Sequence, residues 1–149
     1  MMIIQLITSF IASASFGILF NAPKKSLFQC GTTGMVGWAI YYQLIQMEID
    51  SVPASLAASF FVAVISHLFA KRYKTPVIIF IVGGIIPLVP GGTAYDAMRN
   101  FVENDYNLAI QLSAKAFLIS GAIVIGIVFS EVINQIIRKI KVVNQNKVV

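Results

Sequence analysis

The run Gly83-Gly84-Ile85-Ile86-Pro87-Leu88-Val89-Pro90-Gly91-Gly92-Thr93-Ala94-Tyr95-Asp96 carries the most unusual backbone chemistry of the sequence. Pro87 removes an amide donor and frees a carbonyl one turn earlier. Gly91-Gly92 is expected to let the chain turn sharply. Thr93 is expected to cap the next helix, whose N-terminus then carries partial positive charge. Half-helix ends of this kind bind carboxylates and ions in transporters. Pro87, Pro90, Gly91, Gly92, Thr93, Tyr95 and Asp96 are therefore candidate substrate-binding residues. The same run also reads as a proline–glycine turn at a membrane surface. Lys115 is a further candidate, because a lysine at mid-membrane costs about 2.5–3.5 kcal/mol. It either faces a polar pathway and attracts an anion, or extends its stem to the outer surface.

His67, the one histidine, suits a proton relay or an interfacial position. Glu131 is expected to pair with Arg138 or meet water. Ser66 forms no catalytic pair with His67, because adjacent residues on a helix do not face each other. Cys30 is alone, which excludes an internal disulfide and a four-cysteine zinc site. No metalloprotease helix, phosphate loop or cysteine–histidine cluster is present. Neither an enzyme nor a cofactor is expected.

Apolar segments must position these residues. Of 149 residues, 58% are hydrophobic and 11% charged, and the mean hydropathy is +0.84. A soluble domain of this length needs more charge to cover its surface, so the apolar residues face lipid. The expected fold is all-α, one domain of bundled transmembrane helices with spans at 3–20, 27–47, 52–70, 76–92 and 108–137. Most match the ~20 residues that cross ~30 Å of hydrocarbon, and helices satisfy their own backbone in lipid. The fourth differs, since 76–90 reaches only about 22 Å at ~1.5 Å per residue. It is expected to be broken and completed by the next segment, an amphipathic helix over 93–107 with Ala94, Met98, Phe101 and Val102 at helical spacing. The first run lacks a basic flank and a cleavage site and reads as a retained span. A frayed tail is expected from Lys141 to Val149.

The net charge of +5 does not indicate nucleic acid, because the basic residues form short clusters between apolar runs. Lys24 and Lys25, then Lys71, Arg72 and Lys74, then Arg138, Lys139, Lys141 and Lys147 alternate with acidic loops at Glu48 and Asp50 and at Asp96, Glu103 and Asp105. The positive-inside rule places the basic loops and the C-terminus in the cytoplasm and the N-terminus outside. Small residues at Gly31, Gly34 and Gly37, at Ser55, Ser59 and Ala63, and at Ala122, Gly126 and Ser130 mark close helix contacts. These lie within the chain or against another subunit, a second copy included.

Phe20-Asn21-Ala22-Pro23, Cys30 with the glycines after it, and Ile86-Pro87-Leu88-Val89-Pro90-Gly91 followed by Tyr95 and Ala97-Met98 resemble the threonine/serine exporter family. The likeness is to the short membrane subunit of the split two-subunit form. It implies an inner-membrane, secondary-active exporter of small hydrophilic metabolites, threonine and serine by the family's name, driven by the proton motive force. It also implies a longer membrane subunit as partner. The resemblance carries over to Pro87, Pro90, Gly91 and Tyr95. The other candidates rest on residue chemistry, and Lys115 would equally suit a dicarboxylate such as succinate. A scaffolding subunit and a small channel are the competing readings.

Overall fold

The computed structural model describes the backbone of residues 2–146 and the side chains of residues 2–140. Six helices account for almost all of it: α1 (Met2–Leu19), α2 (Leu27–Gln46), α3 (Ser51–Tyr73), α4 (Val77–Ile85), α5 (Gly91–Val102) and α6 (Tyr106–Asn146). Single 3₁₀ turns, Lys24–Ser26 and Ile86–Leu88, lead into α2 and out of α4.

The helices stop where the sequence gives up regular backbone. Left-handed residues follow α1, α2, α3 and α5, at Asn21, Glu48, Lys74 and Asn104, and no described glycine has positive φ. Asp50 opens α3, its Oδ1 accepting from the Ser51 amide at 2.7 Å. Seven of the ten glycines serve contact instead. A Cβ on Gly31 would press into the Phe10 ring, and one on Gly34 would overlap Ser13, so α2 lies close against α1. Gly37 and Gly84 flank Val62, which locks α2, α3 and α4 together, and Gly126 seats α6 on Ser59 and the Leu56 carbonyl of α3. The small faces therefore pack within the chain.

The interior is small and hydroxyl-bearing, whereas the exterior is large and apolar. Ser13, Thr33, Ser55, Ser59 and Ser66 are buried, while Ile4, Ile11, Phe117, Leu118 and Phe129 are exposed. Four of these inner hydroxyls turn back onto their own helices, among them Ser55 to the Ser51 carbonyl at 2.7 Å and Ser66 to that of Val62 at 2.7 Å, while Ser13 Oγ has no partner. That arrangement suits a lipid solvent, where Leu and Ile gain nothing by leaving the surface and small residues let backbones approach. A compact cluster of Ala58, Val62, Leu88, Ile119 and Ile123 closes the centre.

Among the described residues, Met2–Leu19, Ser51–Tyr73 and Tyr106–Ile140 are long and apolar enough to cross a membrane, and Val77–Leu88 with Gly91–Val102, bent by 49°, qualify as a pair. The expected second span forms a helix of 20 residues, but Gln29, Thr32, Thr33, Gln43 and Gln46 dilute its apolarity and keep it out of that set. Two expected boundaries move. The segment placed at 93–107 begins at Gly91 and ends at Val102. The last helix continues past Lys141 to Asn146, and 147–149, Lys147 included, lie outside the described residues.

Candidate functional site

The break between α4 and α5 lies at mid-bundle. Leu88 belongs to the central cluster with Val62 and Ile123. Pro87 packs toward Gly34, where an added Cβ would meet its Cγ at 3.4 Å. Extended backbone at Val89 (φ −61°, ψ 130°) breaks the helix, and α5 starts again at a bend of 49°. Two expectations are corrected here. Pro90 takes the N-cap position, without a side-chain cap, and Thr93 lies inside the first turn rather than capping it. Gly91 and Gly92 do not provide the turn, because their φ values are negative. Proline geometry and the extended Val89 suffice. Nothing lies within 4 Å of a Cβ built on either glycine, so neither backbone conformation nor packing requires glycine there.

α5 and α6 flank an open apolar groove of about 770 Å³ lined by Val89, Pro90, Gly91, Met98, Phe117 and Ser120. The eight candidates do not converge on it. Pro90 and Gly91 line it, and Pro87 faces into the bundle. Gly92, Tyr95 and Asp96 are exposed and Thr93 is half-buried. Arg99, on the polar side of α5, donates from Nε to Glu103 at 2.9 Å, as expected of an amphipathic helix. Lys115 stands apart from the groove, its Nζ 3.9 Å from Asp50 Oδ1 with both side chains largely exposed. A helical side chain leans toward the N-terminus of its helix, so the Lys115 stem leans toward the acidic loop between α2 and α3.

At the opposite, basic end a second polar group forms. His67 is 8% exposed, turned into the bundle rather than onto its outer face. Its Nε2 lies 2.9 Å from Glu131 Oε2, so Glu131 meets His67 rather than Arg138 or water alone. The contact is at ion-pair distance without hydrogen-bond alignment. Asn134 Nδ2 lies 3.1 Å from His67 Nδ1, and Lys71 Nζ donates to Asn134 Oδ1 at 3.4 Å. Asn134 was no sequence candidate. The available signal was positional: His67 and Lys71 stand four apart on one helix, Glu131 and Asn134 three apart on another, so each pair shares a face. The register that brings the two faces together comes from the Gly126–Ser59 contact.

Among the described residues, no group of three or more His, Cys, Asp or Glu side chains is placed to hold a metal.

Residues 5–133 match the family described as "Threonine/Serine exporter, ThrE". Among curated proteins, a "Threonine/serine exporter" of Corynebacterium glutamicum is 26% identical over 135 residues, 91% of this chain but 27% of that protein. An "Uncharacterized protein" of Haemophilus influenzae is 29% identical over 93 residues, covering 62% of this chain and 31% of its own length. The chain thus spans about a third or less of these relatives. No solved structure matches. With almost its whole length matched to one family profile, and with the broken α4–α5 pair lying inside that match, this chain belongs to the threonine/serine exporter family.

Proposed function

We propose that the chain is a subunit of a secondary-active exporter of small amino acids, threonine and serine, in the inner membrane. α1, α2, α3, the α4–α5 pair and α6 make five crossings, with the N-terminus outside and the C-terminus in the cytoplasm. The observation that carries this reading is the helix broken at mid-bundle within a chain of this family. Irregular backbone at such depth is tolerated where it is buried in protein or lines a cavity, and Pro90 and Gly91 line the groove here. The Gly91 amide donates to the Val89 carbonyl at 2.7 Å, which leaves the Gly92 and Thr93 amides of the first turn of α5 bare, and such amides attract a carboxylate.

In this reading Pro87 and Pro90 hold the break open, Gly91 lines the approach, and Gly92 and Thr93 present amides to substrate. Tyr95 and Asp96 contact it on the outer side, and Lys115, steadied by Asp50, draws anions at the outer mouth. Because the chain covers 27% of the Corynebacterium exporter's length, a longer membrane subunit completes the pathway.

The test is metabolite efflux in cells carrying both subunits. Deletion of this chain should raise intracellular threonine and serine, and unchanged threonine, serine and dicarboxylate would sink the reading. A rise in succinate alone would favour a dicarboxylate exporter, to which the Lys115 charge is suited. The scattering of the eight candidates favours one other reading, a scaffold whose partner holds the whole route. In that case Pro87→Ala, Tyr95→Phe and Lys115→Ala would all leave transport intact.

A further inference from the structure

We propose that the cavity at the basic end, between the end of α3 and α6, is a second binding site, one for a small carboxylate. It holds about 390 Å³ and is lined by His67, Lys71, Lys74, Glu131, Asn134 and Arg138. At ~30 Å³ per water this is about a dozen water volumes, room for a small organic acid. Three cationic side chains stand against one carboxylate, and that carboxylate already has neighbours, His67 at 2.9 Å and Gln135 Nε2 at 3.2 Å. The surplus is positive, and a carboxylate entering it gains charge-assisted hydrogen bonds, which Arg supplies in a bidentate fork.

The buried wall is built rather than incidental. Lys71 only donates, so Asn134 must turn its Oδ1 to it and its amide NH₂ to His67. His67 Nδ1 is then an acceptor, and a neutral ring carries its proton on Nε2, beside Glu131. Nε2 is fully buried and lacks an aligned partner. One chain of contacts therefore runs from a buried imidazole to Lys71, and it holds that ammonium at the cavity while Lys74 closes the end of α3 in a left-handed turn. None of these residues lies in the α4–α5 break, so the site is separate from the one assigned to the exporter's central pathway. It rests on the exporter reading only for its role, the loading of substrate from the basic side.

The experiment is binding by isothermal titration calorimetry. The tagged chain is purified in mild detergent with whatever membrane subunit accompanies it, and the probes are L-threonine and succinate, used separately. Saturable binding of at least one is expected. It should weaken about tenfold or more in Arg138→Gln and in Lys71→Met, and remain unchanged in Lys25→Met, which removes a basic charge at the same end but outside the cavity. Arg138→Lys should restore part of the loss. Glu131→Gln separates the two carboxylates: it weakens L-threonine, whose ammonium loses its partner, and strengthens succinate, which loses a like charge. No saturable binding of either probe overturns the proposal, as does binding indifferent to both Arg138→Gln and Lys71→Met in variants that keep the wild-type unfolding midpoint. Efflux that persists while this binding fails would leave the exporter reading standing; binding without any efflux phenotype would do the reverse.

Discussion

Gly126→Ala set against Gly121→Ala is the sharpest test of the packing that aligns the basic-end site. Both residues lie inside α6, so each substitution gains the same helix propensity, up to ~1 kcal/mol. Their surroundings differ. At Gly121 nothing lies within 4 Å of the new Cβ. At Gly126 it would sit 2.5 Å from the Leu56 carbonyl oxygen and 3.1 Å from the Phe60 amide nitrogen, besides meeting Ser59. Two of those neighbours are backbone, so no rotamer change relieves them and α3 and α6 must part. Overpacking of this kind costs about 1–3 kcal/mol. With propensity cancelled, Gly126→Ala should be less stable than Gly121→Ala by that amount, a factor of about 5–150 in the folding equilibrium. Reversible unfolding in mixed detergent measures the difference. Adding Ser59→Gly should rescue only part of it, since the Leu56 carbonyl stays in place. Equal stabilities within about 0.5 kcal/mol, or full rescue by Ser59→Gly, would refute the α3–α6 register described above.

Other outcomes follow from the same packing. A Cβ on Gly84 would lie 2.6 Å from Val62 Cγ1, so Gly84→Ala and Val62→Ala should compensate, with a favourable coupling of about 1 kcal/mol in a double-mutant unfolding cycle. Asp50→Ala removes a helix cap as well as an ion pair and should destabilise by about 0.5–2 kcal/mol, whereas Lys115→Met removes only an exposed pair of about 0–1 kcal/mol; thermal unfolding of the two variants gives the order. Glu48→Gly relieves a left-handed residue (φ 60°) and should stabilise by about 1 kcal/mol on the same assay.

The helical class was legible because apolar runs of spanning length leave few alternatives, and the broken fourth segment because proline has a fixed backbone consequence. The reason for the break was misread. Gly91-Gly92 suggested a glycine turn, yet proline and an extended valine suffice, and the glycines sit unstrained in the helix that follows. Thr93 failed as a cap because the helix begins earlier than its sequence signal indicates. The His67 group was illegible for a different cause. His67 and Glu131 are 64 positions apart, and nothing local fixes which faces of two long helices meet. That choice belongs to the surface around Gly126, whose smallness was visible while its partner was not. Lys115 was ambiguous for the same reason, because the level of a residue in the bundle depends on the register of α6 against α3.

The placement of glycine and charge in this chain follows from its solvent. In a water-soluble protein the residue after a helix is often glycine, which takes the left-handed conformation without strain. Here Asn21, Glu48, Lys74 and Asn104 take it instead, at about 1–2 kcal/mol for residues such as Glu and Lys. These positions lie at the ends of the bundle, and Glu48 and Lys74 stand in the acidic and basic loops whose difference in charge distinguishes those ends. Glycine there would relieve strain and erase part of that difference, while glycine inside the helices is what lets Ser13, Val62 and Ser59 approach neighbouring backbones. Lipid offers no hydrophobic force to bring helices together, so close contact must supply it, and the residue that relaxes a loop is needed within the bundle. Lys74 lines the basic-end cavity as well, so its strained turn serves charge, helix termination and site at once.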